Sequence, residues 1–129
     1  MDDRQRFTTG NPWEKSVGFS RAVKVGNTVY TAGTIASDEN GKVQGTDSYE
    51  QCSYIFKKLD GVLKEAGSGL GDVVKVVCYL TDITHSEGFT RAHSEHLGET
   101  RPATTCVVIN ALFGEGFVAE IELTAVIPG

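Results

Sequence analysis

The 129-residue chain predicts an α+β fold: a mixed sheet with two helices packed on one of its faces. Three observations carry this. Gly26-Asn27 sits between two short runs of alternating polarity, a strong signal for a two-residue hairpin. Cys52, Ile55, Phe56, Leu59, Val62, Leu63 and Ala66 keep the 3-4-3-4 spacing of one helical face. Residues 101–126 read as two strands around a glycine-containing loop, with Cys106 and Glu120 set inside otherwise apolar runs.

The elements follow in order. Residues 1–20 are expected to be irregular, with Asn11-Pro12-Trp13 as a turn. Residues 21–25 and 28–34 are the hairpin strands, and Asp38-Glu39-Asn40-Gly41 is a second turn. A helix is expected over 48–66, capped by Asp47 with Glu50 three residues on and stopped by Gly67. Residues 73–81 form a strand. Val73, Val74, Val76 and Val77 are apolar on both parities, which predicts cover on both faces. Thr84 and Glu87 fit a capping box for a second helix ending near Leu97. Gly98 closes that helix and Pro102 prevents its continuation. Residues 104–110 and 118–127 are the last two strands.

The order is therefore ββαβαββ. Right-handed strand–helix–strand crossovers place both helices on one face of the sheet. In the last strand Ala119, Ile121, Leu123, Ala125 and Ile127 are apolar, whereas Val118, Glu120, Glu122, Thr124 and Val126 are mixed. A half-apolar open face calls for a partner subunit.

The length indicates one domain over 1–129 with a core that needs no staples. Hydrophobic residues at 40% and charged residues at 22% are ordinary for a soluble globular protein. Cys52, Cys78 and Cys106 lie in apolar runs without metal-type spacing, so buried, reduced thiols and a cytoplasmic setting are expected. No apolar stretch approaches the roughly 20 residues needed to span a bilayer, and the polar start does not resemble a targeting peptide. A net charge of −5 disfavours nucleic acid as a partner.

Several residues carry potential chemistry. Burying Glu120 without a partner would cost several kcal/mol, on the order of an unpaired buried charge. Glu120 therefore lies at a pocket, at an interface, or on a solvent-facing strand side with Glu122. His93 and His96 share the stripe expected to meet the sheet. A metal site would need a third ligand, and none stands at a recognisable spacing. A hydrogen-bonded histidine at the helix–sheet or subunit interface is the default, and a pocket acid–base role for His93 is the alternative. Cys106 is a core thiol or a pocket lining. The glycines of 67–71 do not follow a strand, so they make no phosphate loop.

The order ββαβαββ and the segments VGNTVYTAGTIA, GLGDVVKVVCYLTDI, RPATTCVV and VAEIELTAV together resemble the RidA/YjgF family, also described as endoribonuclease L-PSP-like. The likeness runs over nearly the whole chain from Val17 onward. It implies a chorismate-mutase-like fold, a homotrimer whose sheets pack into a central barrel, and pockets at subunit interfaces. It also implies hydrolysis of reactive imines and enamines, with no metal or organic cofactor. Glu120 matches the glutamate that holds the attacking water; Gly33 and Cys106 also match. Where the imine deaminases carry an arginine two residues after the proline, this chain has Thr104, which cannot make the bidentate contact of a guanidinium. Phe19 stands where a tyrosine is common, and Ala32 where a serine is. Arg101, Arg21 and Arg91 are candidates to replace the missing cation. Arg101 is three residues from Thr104, about 10 Å along an extended chain, so it needs a bend. Each arginine is otherwise a surface charge or an inter-subunit ion pair.

The expected site thus comprises Glu120 as the group acting on water, with Phe19, Gly33, Thr104, Cys106, Arg101 and His93 binding a small-molecule substrate. Backbone groups near Gly33 and Cys106 would supply an oxyanion-type donor set. The expected function is hydrolysis or related processing of an imine, enamine or similarly activated metabolite other than the usual 2-aminoacrylate. The alternatives are a metabolite-binding trimer without turnover and a ribonuclease, the latter disfavoured by the acidic balance.

Overall fold

The computed structural model describes residues 3–129. Its strands are β1 (Arg4–Phe7), β2 (Ala22–Val25), β3 (Thr28–Thr31), β4 (Thr34–Ile35), β5 (Val73–Leu80), β6 (Ala103–Val108) and β7 (Ala119–Val126). Its helices are α1 (Ser48–Glu65) and α2 (Ser86–Leu97). One sheet holds every strand in the order β1-β2-β3-β7-β5-β6, and β4 also pairs with β7. Only β5 and β6 run parallel; the other pairs are antiparallel.

The N-terminal region departs from expectation. Residues 4–7 pair with β2, and Glu14–Gly18 forms a π-helical turn. The sequence gives this short edge strand no clear alternation: Arg4, Gln5 and Arg6 are exposed, and only Phe7 packs towards the core. Backbone pairing, not side-chain burial, makes it a strand. Residues 1 and 2 of the region expected to be irregular lie outside the described residues.

The α1 stripe is buried as its spacing predicts. Cys52, Ile55, Phe56, Leu59 and Leu63 have no exposed surface and Val62 very little. They pack on the odd-numbered side chains of β7 and on Val73, Val76, Cys78 and Leu80 of β5. The Asp47 carboxylate caps α1 by accepting from Glu50 N–H at 2.8 Å. Glu50 reaches back to Thr46, accepting from its N–H at 2.8 Å, so the box closes one residue earlier than the standard pattern. At α2 the expected Thr84–Glu87 box is replaced. Asp82 accepts from Thr84 N–H at 2.9 Å and caps a 3-10 turn, Ile83–His85, that runs directly into α2. Asp competes well for a cap position, and here it stands two residues upstream of the threonine. Gly88 lets α2 approach α1 closely, since a Cβ there would lie 2.0 Å from the Ser48 hydroxyl.

Among the described residues no helix covers the other face of the sheet, which is sheltered around Glu120 by Trp13, Phe19 and Phe113 and is otherwise largely open. Val74 is 47% exposed, so β5 is covered on one face only. Edge strand β6 is exposed along its whole length. Cys106 is therefore exposed, not a core thiol, whereas Cys52 and Cys78 are buried. Among the described residues no helix is long and apolar enough to cross a membrane.

Candidate functional site

Strand β7 pairs on both sides around Glu120, opposite Ile35 of β4 and Tyr79 of β5. Alternation turns Ile121 into the core and Glu120 to the helix-free face. Gly33, beside β4, makes room for it: a Cβ there would lie 2.8 Å from the Glu120 carboxyl carbon. Burial raises the Glu120 pKa, the Glu122 charge adds to this, and Arg21 opposes it. No described side chain donates a hydrogen bond to the Glu120 carboxylate. Glu122, two residues on, accepts from the Tyr79 hydroxyl at 2.6 Å. The two glutamates share a face but not an environment.

Phe19, Gly33 and Glu120 come together around one cavity of about 530 Å³, completed by Trp13, Val17, Ile35, Phe113 and Arg21. Arg21 is neither a surface charge nor an inter-subunit ion pair. Its Nε donates to Glu14 at 3.0 Å, and its Nη1 donates to Gly33 O at 2.9 Å and to Thr34 Oγ1 at 3.1 Å. Both members of this ion pair are buried. Burial pushes the Glu14 carboxyl up, but hydrogen bonds from Thr8, Thr9 and Arg21 outweigh it and leave the group below its ordinary range. The guanidinium also lies 5.3 Å from the Phe19 ring centroid. Arg21 thereby fixes the glycine and one wall of the cavity around Glu120.

His93, Arg101 and Thr104 meet at a second cavity of about 430 Å³ beside α2. His93 Nε2 lies 2.8 Å from Thr104 Oγ1, so this histidine is the hydrogen-bonded helix–sheet residue expected by default. Burial lowers the pKa of both His93 and His96, favouring neutral imidazoles. His96 stacks on Phe56 with centroids 5.4 Å apart. Arg101 has φ 55°, the bend that brings it to the same cavity as Thr104. Arg91 is instead held by Glu95 and by the Tyr49 ring. Among the described residues no group of three or more His, Cys, Asp or Glu is placed to hold a metal ion.

The expected site residues therefore divide into two groups. Thr104 and Cys106 register with the buried Val76 and Cys78, so they face the helix side of the sheet. Glu120 registers with Tyr79 and faces the other side. One chain cannot bring the Thr104 and Cys106 side chains to the Glu120 carboxylate. Although the residue is exposed, its sulfur is partly sheltered beside the buried Cys78, and this desolvation raises the Cys106 thiol pKa, so it is a poor nucleophile. Its backbone has another use. Ile109 N–H bonds Leu80 O, so alternation directs Cys106 N–H away from β5, onto the free edge.

Sequence patterns alone missed Trp13 and Phe113, 100 positions apart, and the buried Gln51. The Gln51 amide donates to Gly116 O at 2.8 Å and accepts from Val118 N–H at 3.0 Å, anchoring the loop that carries Phe113. A polar residue beside the apolar stripe of α1 was the available signal for Gln51.

Comparison with known proteins supplies the family. The Endoribonuclease L-PSP family model matches residues 10–127. A RutC family protein of Pyrococcus abyssi is 38% identical over 108 residues, covering 82% of this chain and 84% of that protein. The crystal structure of a Mycobacterium tuberculosis member of the YjgF/YER057c/UK114 family superposes with a TM-score of 0.89 at 34% identity, covering 97% of this chain and 100% of that one. RidA from an Antarctic Psychrobacter gives a TM-score of 0.78 at 34% identity, with 84% and 88% of the two chains covered. With the matched region spanning strands β2 to β7, both helices and both cavities, the chain belongs to the Endoribonuclease L-PSP family, the YjgF/RidA family.

Proposed function

We propose that the protein is a small-molecule hydrolase of the imine-deaminase type, working as a cytoplasmic homotrimer. The carrying observation is Glu120: a half-buried carboxylate with a raised pKa, seated against Gly33 in a cavity large enough for a ligand. A raised carboxyl pKa suits a group that must take and return a proton near neutral pH. Water adds to the C=N carbon while Glu120 accepts its proton. With the imine entering protonated at nitrogen, this addition gives a neutral carbinolamine. Glu120 then returns the proton to nitrogen, the C–N bond breaks to release ammonia, and the hydroxyl proton passes to the freed Glu120 carboxylate as the carbonyl product forms.

The donor for the developing charge comes from a neighbouring copy. The free edge of β6 carries Cys106 N–H, and Thr104 and Cys106 can approach Glu120 only from a second chain. This supports pockets built between subunits. Thr104 in place of an arginine makes carboxylated imines poor substrates. Losing a charge-assisted contact costs about 1.5–3 kcal/mol, roughly 10- to 150-fold. The same substitution favours a second reading, a metabolite-binding trimer without turnover. Ribonuclease activity is not favoured, given the net charge of −5.

Ammonia release from small imines, with and without a carboxylate, tests the proposal. Turnover of an uncarboxylated imine, lost in Glu120→Gln with assembly intact, is the expected result. Thr104→Arg should raise turnover of 2-aminoacrylate-type imines. Absence of ammonia from every imine would leave the binding reading.

A further inference from the structure

The cavity around Glu120 has features that hydrolysis of a small imine does not require. Its mouth is made of apolar side chains standing in solvent: Phe113 is 79% exposed, Val17 71% and Trp13 54%. The Trp13 and Phe113 rings meet edge to face with centroids 6.1 Å apart. Phe19 and Ile35 continue the apolar wall inward. Such a cluster at the rim of a cavity, with a single carboxylate at its base, is the composition of a ligand site. The volume, about 530 Å³, suits a ligand well beyond a three-carbon imine.

Charge narrows the ligand further. Among the described residues Arg21 is the only cation that this chain places in the wall, and it is committed to Glu14, Gly33 O and Thr34. With Arg21 offset by Glu14, the carboxylates of Glu120 and of Glu122 beside it on β7 leave this chain's share of the cavity negative. An anion is repelled there. A cation is attracted both to the carboxylate and to the aromatic faces.

We infer that this cavity selects a cationic ligand with an aromatic or extended apolar group and no carboxylate, a protonated arylalkyl imine or amine, with Trp13 and Phe113 as its specificity-determining residues. The inference rests on the reading of Glu120 as a group that meets the ligand, and it adds the class of molecule.

Three unreactive probes separate its parts: 2-phenylethylammonium, 3-phenylpropanoate of similar size and opposite charge, and butylammonium without the ring. Calorimetric titration of the full chain should show 2-phenylethylammonium binding at least about tenfold more tightly than either of the others. Glu120→Gln should abolish the preference for the cation and keep the preference for the ring. Phe113→Ala should do the reverse, and Phe113→Leu should restore part of the binding. Trp13 is the chain's only tryptophan, so its fluorescence reports on the mouth directly. Acrylamide should quench it in the free protein, and 2-phenylethylammonium should protect it. Equal or tighter binding of 3-phenylpropanoate or butylammonium would overturn the inference. So would a Trp13 already shielded in the free protein, because a neighbouring copy would then cover the mouth. If ammonia is released from small imines while these probes fail, the inference falls and the hydrolase reading stands. Selective binding without ammonia release has the opposite meaning.

Discussion

Glu120 and Glu122 differ by one turn of strand alternation, yet only one is free for chemistry. Glu122 is held by the Tyr79 hydroxyl, whereas Glu120 faces the cavity without a described donor. If Glu120 acts as the base, activity should rise with pH through a pKa above the usual carboxylate value of about 4.3. Glu122 contributes to that elevation, so Glu122→Gln should shift the acidic limb of the kcat/KM profile to lower pH while retaining turnover. Glu120→Gln should reduce turnover by roughly 10²–10⁴-fold, the usual range for a general acid–base group. Similar losses in both variants would assign the pair to stability or assembly. A pH–rate series on the three proteins checks this.

At the scale of the element, the N-terminal segment is a strap whose ionic centre sits under the candidate site. Strand β1 pairs with β2, and the turn that follows brings Glu14 onto Arg21, which holds Gly33. Breaking a buried pair by removing one charge leaves the other uncompensated and costs about 3–5 kcal/mol. Glu14→Gln should therefore lower the melting temperature substantially. The pH dependence has a definite sign. The folded pKa of Glu14 is depressed, so its contribution is present above about pH 4.3 and is lost as pH falls through the folded value. Denaturant unfolding should show wild type losing stability over that acidic window, and Glu14→Gln losing less of it.

For the whole molecule, the uncovered face decides assembly. Burial of one sheet face by α1 and α2 leaves Tyr79, Glu120, Glu122 and Thr124 partly exposed on the other, and leaves β6 as an open edge with Val107 42% and Val108 48% exposed. A long exposed edge with apolar residues is a liability unless another chain covers it. Light scattering at micromolar concentration should give three times the 13.9 kDa chain mass. A monomer mass would remove the trimer and, with it, any route from Cys106 N–H to Glu120.

Local patterns in the sequence determined most of the fold. The periodic stripe of α1, the Gly26-Asn27 hairpin and the alternation of β7 each depend on spacings of a few residues, and each appears in the structure, although the second hairpin strand, expected to run to residue 34, stops at Thr31 and the chain pairs with β7 again as β4. Strand β1 was not legible, because its pairing uses backbone groups that any residue carries. The Thr84–Glu87 box failed because Asp82 reached a free N–H first. Within the candidate site, the sequence and its family resemblance singled out Phe19, Gly33 and Glu120, which the structure gathers around one cavity. Only the tertiary structure decided that Thr104 and Cys106 face the opposite side of the sheet, that Arg21 is consumed by Glu14, and that Trp13 meets Phe113. Each of these depends on strand register or on contacts between distant segments. Side-chain identity states what a residue can do, but the register of a sheet decides which face it does it on.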